Sequence, residues 1–150
     1  MSVKKVLIVE DEISIARVIA AYLQDAVGLV GDLSYLPGSR IFAAVFNRFR
    51  WEEAQTGKKR RKTFERARTG LHFSNVLSVK SRKIRQDNPD GVLNLLSISF
   101  EEGEAPSGTV VLTFSGDGEI RLEVEALEAQ LRDMGEVWET PNLPSHEGDA

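Results

Sequence analysis

The spacing of apolar and polar positions changes twice along the chain and divides it into three parts. Residues 3–9 form an apolar run of the kind found in a buried strand. Helical spacing then predicts a helix that begins at Asp11 or Ser14 and ends near Gly28. The apolar stripe of this helix consists of Ile15, Val18, Ile19, Tyr22, Leu23 and Ala26.

The middle of the chain alternates with a period of two, which is typical of strands. Turn residues interrupt it at Pro37-Gly38, at residues 87–91 and at residues 116–118. Residues 53–70 have no apolar periodicity, and we expect a long exposed loop or an irregular hairpin there. The predicted strands are residues 29–36, 41–51, 71–81, 92–100, 109–114 and 120–125.

The last part returns to helical spacing through Leu127, Leu131 and Met134, which predicts a C-terminal helix that Gly135 ends. The expected fold class is therefore α+β. It is a curved, mainly antiparallel sheet of about seven strands with an N-terminal and a C-terminal helix. This order is similar to that of pleckstrin-homology-like barrels, although the early helix fits that fold poorly.

Composition favours one globular domain, which we place at residues 1–138, followed by a disordered tail at residues 139–150. No apolar run approaches the ~20 residues that a membrane-spanning helix needs. The apolar run after the first lysines is too short for a signal peptide. The chain has no cysteine, which excludes disulfides and cysteine-based metal or redox chemistry. A cytoplasmic location is the simplest interpretation.

The net charge of −4 conceals a separation of charge along the chain. Residues 40–85 carry 14 Lys and Arg against 3 Asp and Glu, a balance of +11. The other residues carry 5 Lys and Arg against 20 Asp and Glu, a balance of −15. Such a separation indicates either an acidic partner for the basic part or two regions that face each other within the fold or across a dimer.

The strand and acids of residues 6–12 resemble the opening of a response-regulator receiver domain. The resemblance implies that Glu10 and Asp11 hold Mg²⁺ beside an aspartate that accepts a phosphoryl group. Asp32 is the available aspartate, but it lies only 21 residues after Asp11, and no lysine precedes a proline. We therefore favour the simpler interpretation, in which the acids stabilise the start of a helix, and we expect neither a metal site nor a cofactor.

A second resemblance covers residues 22–138 and is carried by several longer blocks. In these blocks the chain resembles an uncharacterised proteobacterial family known as a domain of unknown function. That resemblance indicates a class of protein and implies no activity. The blocks are Leu23–Val27, Tyr35–Pro37, Phe46–Glu52, Gly70–Phe73, Val79–Arg82, Leu93–Phe100 and Ile120–Glu125.

Two groups of residues are candidates for an interaction site. Arginines beside a tryptophan on a strand suit contact with a protein or an anionic ligand, although solvated arginines on an edge strand explain them equally well. A basic run can contact phosphates, but we favour a solvated loop that balances an acidic neighbour. The first group is Asn47, Arg48, Arg50 and Trp51, and the second is Lys58, Lys59, Arg60, Arg61 and Lys62.

No complete catalytic set is recognisable in the sequence, because His72 and His146 are the only histidines and no serine has a nucleophile motif. We therefore expect a non-enzymatic cytoplasmic module that binds an unknown protein or an anionic ligand without contact with a membrane. One alternative is a divergent receiver-like phosphorylation module that uses Glu10, Asp11 and Asp32. The other is nucleic-acid binding through residues 58–68, which is not favoured.

Overall fold

A computed structural model of the protein describes residues 6–9, 12–49 and 64–140, in which seven strands pair in an antiparallel manner. The first strand in the chain is a short edge strand of this sheet, and one helix follows it. In chain order the elements are β1 (Val6–Val9), α1 (Glu12–Leu23), β2 (Val27–Leu36), β3 (Ile41–Phe49), β4 (Phe64–Arg82), β5 (Val92–Glu102), β6 (Gly108–Phe114) and β7 (Glu119–Thr140).

Six of the described strands close into a barrel. Their hydrogen-bonded order is β7, β4, β3, β2, β5 and β6, and β6 pairs back onto β7. Strand β7 is long enough to pair with two different strands along one edge. Residues 119–124 pair with β6, whereas residues 129–132 pair with β1. The first part of β7 therefore closes the barrel, and the second part carries β1 as an additional strand.

The barrel interior is filled by the alternate side chains that each strand turns inward. On β3 these are Phe42, Ala44 and Phe46, each no more than 2% exposed. The same alternation on the other strands completes one continuous apolar cluster. Its strand members beyond β3 include Leu71, Phe73, Val76, Leu93, Leu95, Ile98, Val110, Leu112, Phe114, Ile120, Leu122, Val124, Leu127, Ala129 and Leu131.

Helix α1 lies against β5 and β3 and places Ile19 and Leu23 in the core. The predicted N-terminal helix is thus present, but it ends earlier than expected. It ends at Leu23, and Asp25 adopts a left-handed φ of 60°. Gly28 lies instead in β2, where an added Cβ would come within 2.8 Å of the Phe46 ring. A close approach of two strands therefore accounts for this glycine.

The prediction of an α+β fold with a helix at each end is wrong. The C-terminal helix predicted through Leu127, Leu131 and Met134 is part of strand β7, and the sheet closes into a barrel. The buried positions Leu127, Ala129, Leu131 and Asp133 have a period of two. The analogy with pleckstrin-homology-like barrels depended on that C-terminal helix and is lost with it.

For residues 53–70 we expected a long exposed loop or an irregular hairpin, and a loop over the whole stretch is wrong, because β4 begins at Phe64 and pairs antiparallel with β3. The other residues of that prediction, 53–63, lie outside the described residues, as do residues 141–150 of the predicted tail. Within the part of the chain that the structure describes, no helix is long and apolar enough to span a membrane.

Candidate functional site

A cavity of about 290 Å³ opens into the barrel at the end where β2 separates from β5. Strand β2 pairs with β5 over Val27 to Leu29 only. Beyond that point, β2 hydrogen-bonds to the segment that connects β4 to β5, residues 83–91 (the connecting segment): the Gly31 amide donates to the Pro89 carbonyl at 2.8 Å. The cavity is lined by Val30, Gly31, Leu33, Ser34, Tyr35, Phe42, Val79, Ser81, Ile84, Gln86 and Ile120.

The floor of the cavity is apolar. Val30, Phe42 and Ile120 are buried, and Leu33, Val79 and Ile84 are partly buried and pack against the same core. The Tyr35 ring adds a second aromatic surface, while its hydroxyl donates to the Val76 carbonyl at 2.7 Å. That bond satisfies the phenol, so the ring presents mainly carbon to the cavity.

The rim of the cavity is polar but uncharged. Ser34, Ser81 and Gln86 are exposed, and the Gln86 amide donates to the Ser81 hydroxyl at 2.8 Å. None of the described lining residues is Asp, Glu, Lys, Arg or His. An apolar floor with a few polar groups at its edge is the usual composition of a small-molecule site.

An ion pair is buried towards the opposite end of β3. The Arg48 guanidinium donates from Nε and from an η nitrogen to the two oxygens of Asp133, at 2.9 and 2.8 Å. Thr69, which lies opposite Asp133 in the β4–β7 register, donates its hydroxyl to the same carboxylate at 2.8 Å. The Tyr22 ring of α1 lies 5.1 Å from the Arg48 guanidinium carbon.

This ionic cluster of Tyr22, Arg48, Thr69 and Asp133 ties α1, β3, β4 and β7 together. Arg48 is 0% exposed and Asp133 4% exposed. A bidentate pair satisfies both charges in the interior, where either one alone would be costly. Because the cluster is buried and its arginine is occupied, it is not the surface for an anionic ligand that the sequence suggested for Arg48.

The structure describes two of the predicted interaction residues, Asn47 and Arg48. Asn47 lies next to Arg48 on β3 and is half-buried, on the opposite face of the strand. Asp32, which belongs to the receiver hypothesis, lies half-buried on β2. The remaining candidates lie outside the described residues: Glu10, Asp11, Arg50, Trp51, Lys58, Lys59, Arg60, Arg61, Lys62 and His146.

The geometry of a receiver site is also missing from the described strands. Such a site forms at the carboxyl ends of parallel strands, whereas β1 pairs antiparallel with β7 and lies at the edge of the sheet. Within residues 6–9, 12–49 and 64–140, no group of three His, Asp or Glu side chains is arranged to hold a metal ion.

The basic and acidic parts of the chain meet within the fold. Among the described residues, five basic residues of the stretch 40–85 pair with acids of the other part. This favours the interpretation in which the two regions face each other, at least for the described residues. The pairs are Arg40–Glu125, Arg48–Asp133, Arg82–Glu119, Lys83–Asp117 and, close in sequence, Arg85–Asp87.

A smaller network lies on the outer surface of β5 and β7. Arg121 donates to Glu119 at 3.2 Å and to Glu101 at 2.6 Å. These hydrogen bonds raise the pKa of Arg121. A raised pKa means that any stabilisation from this cation would be lost only as the pH rises through that pKa, so it is constant around neutrality.

The fold and the cavity define a class: a closed antiparallel β-barrel with a pocket whose described lining residues carry no charge. A family model described as "Protein of unknown function (DUF2948)" matches residues 6–146. The chain therefore belongs to that family. Comparisons with curated proteins and with solved structures gave no match.

Proposed function

We propose that this protein is a non-enzymatic binding module that holds a small molecule in the barrel cavity. The observation that carries the proposal is the cavity of about 290 Å³, with its apolar floor and polar rim. Small-molecule sites occupy concave, mostly apolar pockets, and the mouths of β-barrels are a common place for them.

The size of the cavity supports a specific kind of occupant. A dry engineered cavity of about 150 Å³ binds benzene, and this cavity has roughly twice that volume. It therefore accommodates a ligand larger than a single ring, on the order of a dozen non-hydrogen atoms. The aromatic faces of Phe42 and Tyr35 offer offset or edge contacts to a ligand ring.

The test compares two variants that add a phenylalanine to the same strand. Val79 lines the cavity and is half-buried, whereas Leu77 lies outside it and is 48% exposed. We expect Val79→Phe to fill part of the cavity and to abolish binding of naphthalene-sized fragments, and Leu77→Phe to leave binding unchanged. Chemical-shift perturbation in a fragment titration measures both the affinity and the place of binding.

The result that would overturn the proposal is equally definite. It fails if the fragment shifts do not cluster at the cavity, or if Val79→Phe binds as tightly as the unmodified protein. Circular dichroism and thermal unfolding show that each variant is folded. Should Val79→Phe be unfolded, Ser34→Phe at the exposed rim provides a second way to obstruct the mouth.

The two alternatives from the sequence have their own tests. Phosphorylation predicts a labile phosphoryl adduct after incubation with acetyl phosphate and Mg²⁺, and Asp32→Ala should abolish it.

Nucleic-acid binding through residues 58–68 predicts that charge reversal there lowers both the affinity and its salt dependence. The pairing of Arg40, Arg82 and Lys83 with acids leaves fewer of the described cations for phosphates.

A further inference from the structure

We infer that the ligand of the barrel cavity is an uncharged amphiphile, with an aromatic or branched apolar body and one hydroxyl or carboxamide group. This inference rests on the proposed binding function and specifies the chemistry of its ligand. It follows from three features of the cavity: the apolar residues of its floor, the absence of charge among its described lining residues, and the position of its polar groups at the rim.

The apolar body belongs on the floor, where Phe42 and Ile120 are each 2% exposed and Val30 is 8% exposed. A polar group placed there would lose its hydration without gaining a partner. Contact with the rings of Phe42 and Tyr35 favours an aromatic or branched group, which fills the space at little cost in conformational entropy.

The polar group belongs at the rim. Gln86 uses one amide hydrogen on the Ser81 hydroxyl oxygen, at 2.8 Å. The Gln86 carbonyl oxygen can accept a hydrogen bond from a ligand, and the Ser81 hydroxyl can donate one. A hydroxyl or a carboxamide meets both groups, because each of these ligand groups donates and accepts.

The cavity is poorly suited to a ligand group that carries either a positive or a negative charge. The described lining residues supply neither a cation for a carboxylate nor an anion for an ammonium group. Lys80 and Arg82 lie on the same strand as Val79 and Ser81, but they do not line the cavity. A charged ligand would therefore lose hydration without gaining an ion pair.

The experiment uses four probes that share a naphthalene ring: naphthylmethanol, naphthamide, naphthoate and naphthylmethylammonium. Naphthamide and naphthoate have nearly the same shape and differ in charge. We expect the alcohol and the amide to bind the intact protein at least about ten-fold more tightly than either ion, as measured by calorimetry. Val79→Phe should abolish binding of both neutral probes.

Rim variants test where the polar group lies. Ser81→Ala and Gln86→Leu should each weaken naphthylmethanol about three- to ten-fold and leave methylnaphthalene unaffected. Ser78→Ala is the matched control, because Ser78 lies on the same strand and does not line the cavity. Equal losses for both ligands would show that the rim does not recognise the polar group and would overturn this part of the inference.

The outcomes separate the ligand class from the function itself. If naphthoate or naphthylmethylammonium binds at least as tightly as naphthamide and Val79→Phe abolishes that binding, the cavity binds ligands and the inferred class is wrong. If none of the four probes binds, or if Val79→Phe changes nothing, the proposed function fails and the inference fails with it.

Discussion

Arg48 and Asp133 place opposite charges at the ends of two inward-facing apolar rows. On β3 the row is Phe42, Ala44, Phe46 and then Arg48, and on β7 it is Leu127, Ala129, Leu131 and then Asp133. The sequence of β3 alone does not show that Arg48 lies in the interior, and the sequence of β7 alone does not show it for Asp133. The signal available in the sequence is the pair, because two alternating rows end in complementary charges.

We expect the free energy of unfolding to fall strongly when one partner of the ion pair is removed, and to fall much less when both are replaced by apolar residues. Asp133→Ala leaves the Arg48 guanidinium buried without its carboxylate, and we expect a loss of about 3–5 kcal/mol in the free energy of unfolding. The double variant Arg48→Met with Asp133→Leu should recover most of that loss. Urea denaturation of Arg48→Met, Asp133→Leu and the double variant measures the coupling between the two residues.

A matched substitution tests the hydrogen bond that Thr69 donates to Asp133. Thr69→Val retains the shape of the side chain and removes its hydroxyl, which lies 2.8 Å from the carboxylate. We expect a loss of about 1–3 kcal/mol, because the acceptor is charged and the site is buried. Thr113→Val, at a half-buried position on β6, is the control and should change stability by less than about 0.5 kcal/mol. A smaller loss at Thr69 than at Thr113 would contradict this account.

At the scale of elements, β7 shows why local periodicity was misleading. Leu127, Leu131 and Met134 fit a helical stripe, and the polar residue at 133 hides the period of two that includes Ala129. The predicted strands at residues 29–36, 41–51, 92–100 and 109–114 agree with β2, β3, β5 and β6 within two residues, whereas β4 begins seven residues before the predicted strand 71–81. Tertiary pairing with β4, β6 and β1 then decides the conformation of β7.

One substitution distinguishes the strand from the predicted helix. Ala129 is 6% exposed in β7, whereas on the helical stripe of Leu127 and Leu131 it would face away from the core. We expect Ala129→Glu to destabilise the protein by at least about 3 kcal/mol, because it buries an unpaired carboxylate. Gln130→Glu, on the outer face, should cost less than about 1 kcal/mol. Similar melting temperatures for the two variants would be evidence against the strand.

At the scale of the whole molecule, closure of the barrel is the feature that the sequence predicts least. Alternation indicates which residues of a strand face inward, but it does not say that β6 returns to pair with β7 or that β7 serves two partners. The cavity is also non-local, because its lining comes from four neighbouring strands, β7, β4, β3 and β2, and from the connecting segment 83–91. No local pattern marks Phe42 or Ile120 as cavity residues rather than ordinary core.

Gly108 lies where β6 is hydrogen-bonded on both sides, opposite Glu102 of β5 and Val124 of β7. A Cβ at this position would come within 2.6 Å of the Glu101 carbonyl oxygen and would also clash with the Phe100 ring. One of these neighbours must move to accept a methyl group, and the carbonyl is fixed by the β5–β6 pairing. We therefore expect Gly108→Ala to cost about 1–3 kcal/mol and to weaken the closing contact between β6 and β7.

The comparison is with Gly38→Ala, because Gly38 lies in the β2–β3 turn and a Cβ there would meet no atom within 4 Å. That variant should change the free energy of unfolding by less than about 0.5 kcal/mol. Hydrogen exchange gives the specific readout: amides of residues 108–114 and 119–124 should lose protection in Gly108→Ala, while those of the β3–β4 pairing retain it. If protection falls equally around the barrel, or if the two glycine variants are equally stable, closure does not depend on the close packing at Gly108.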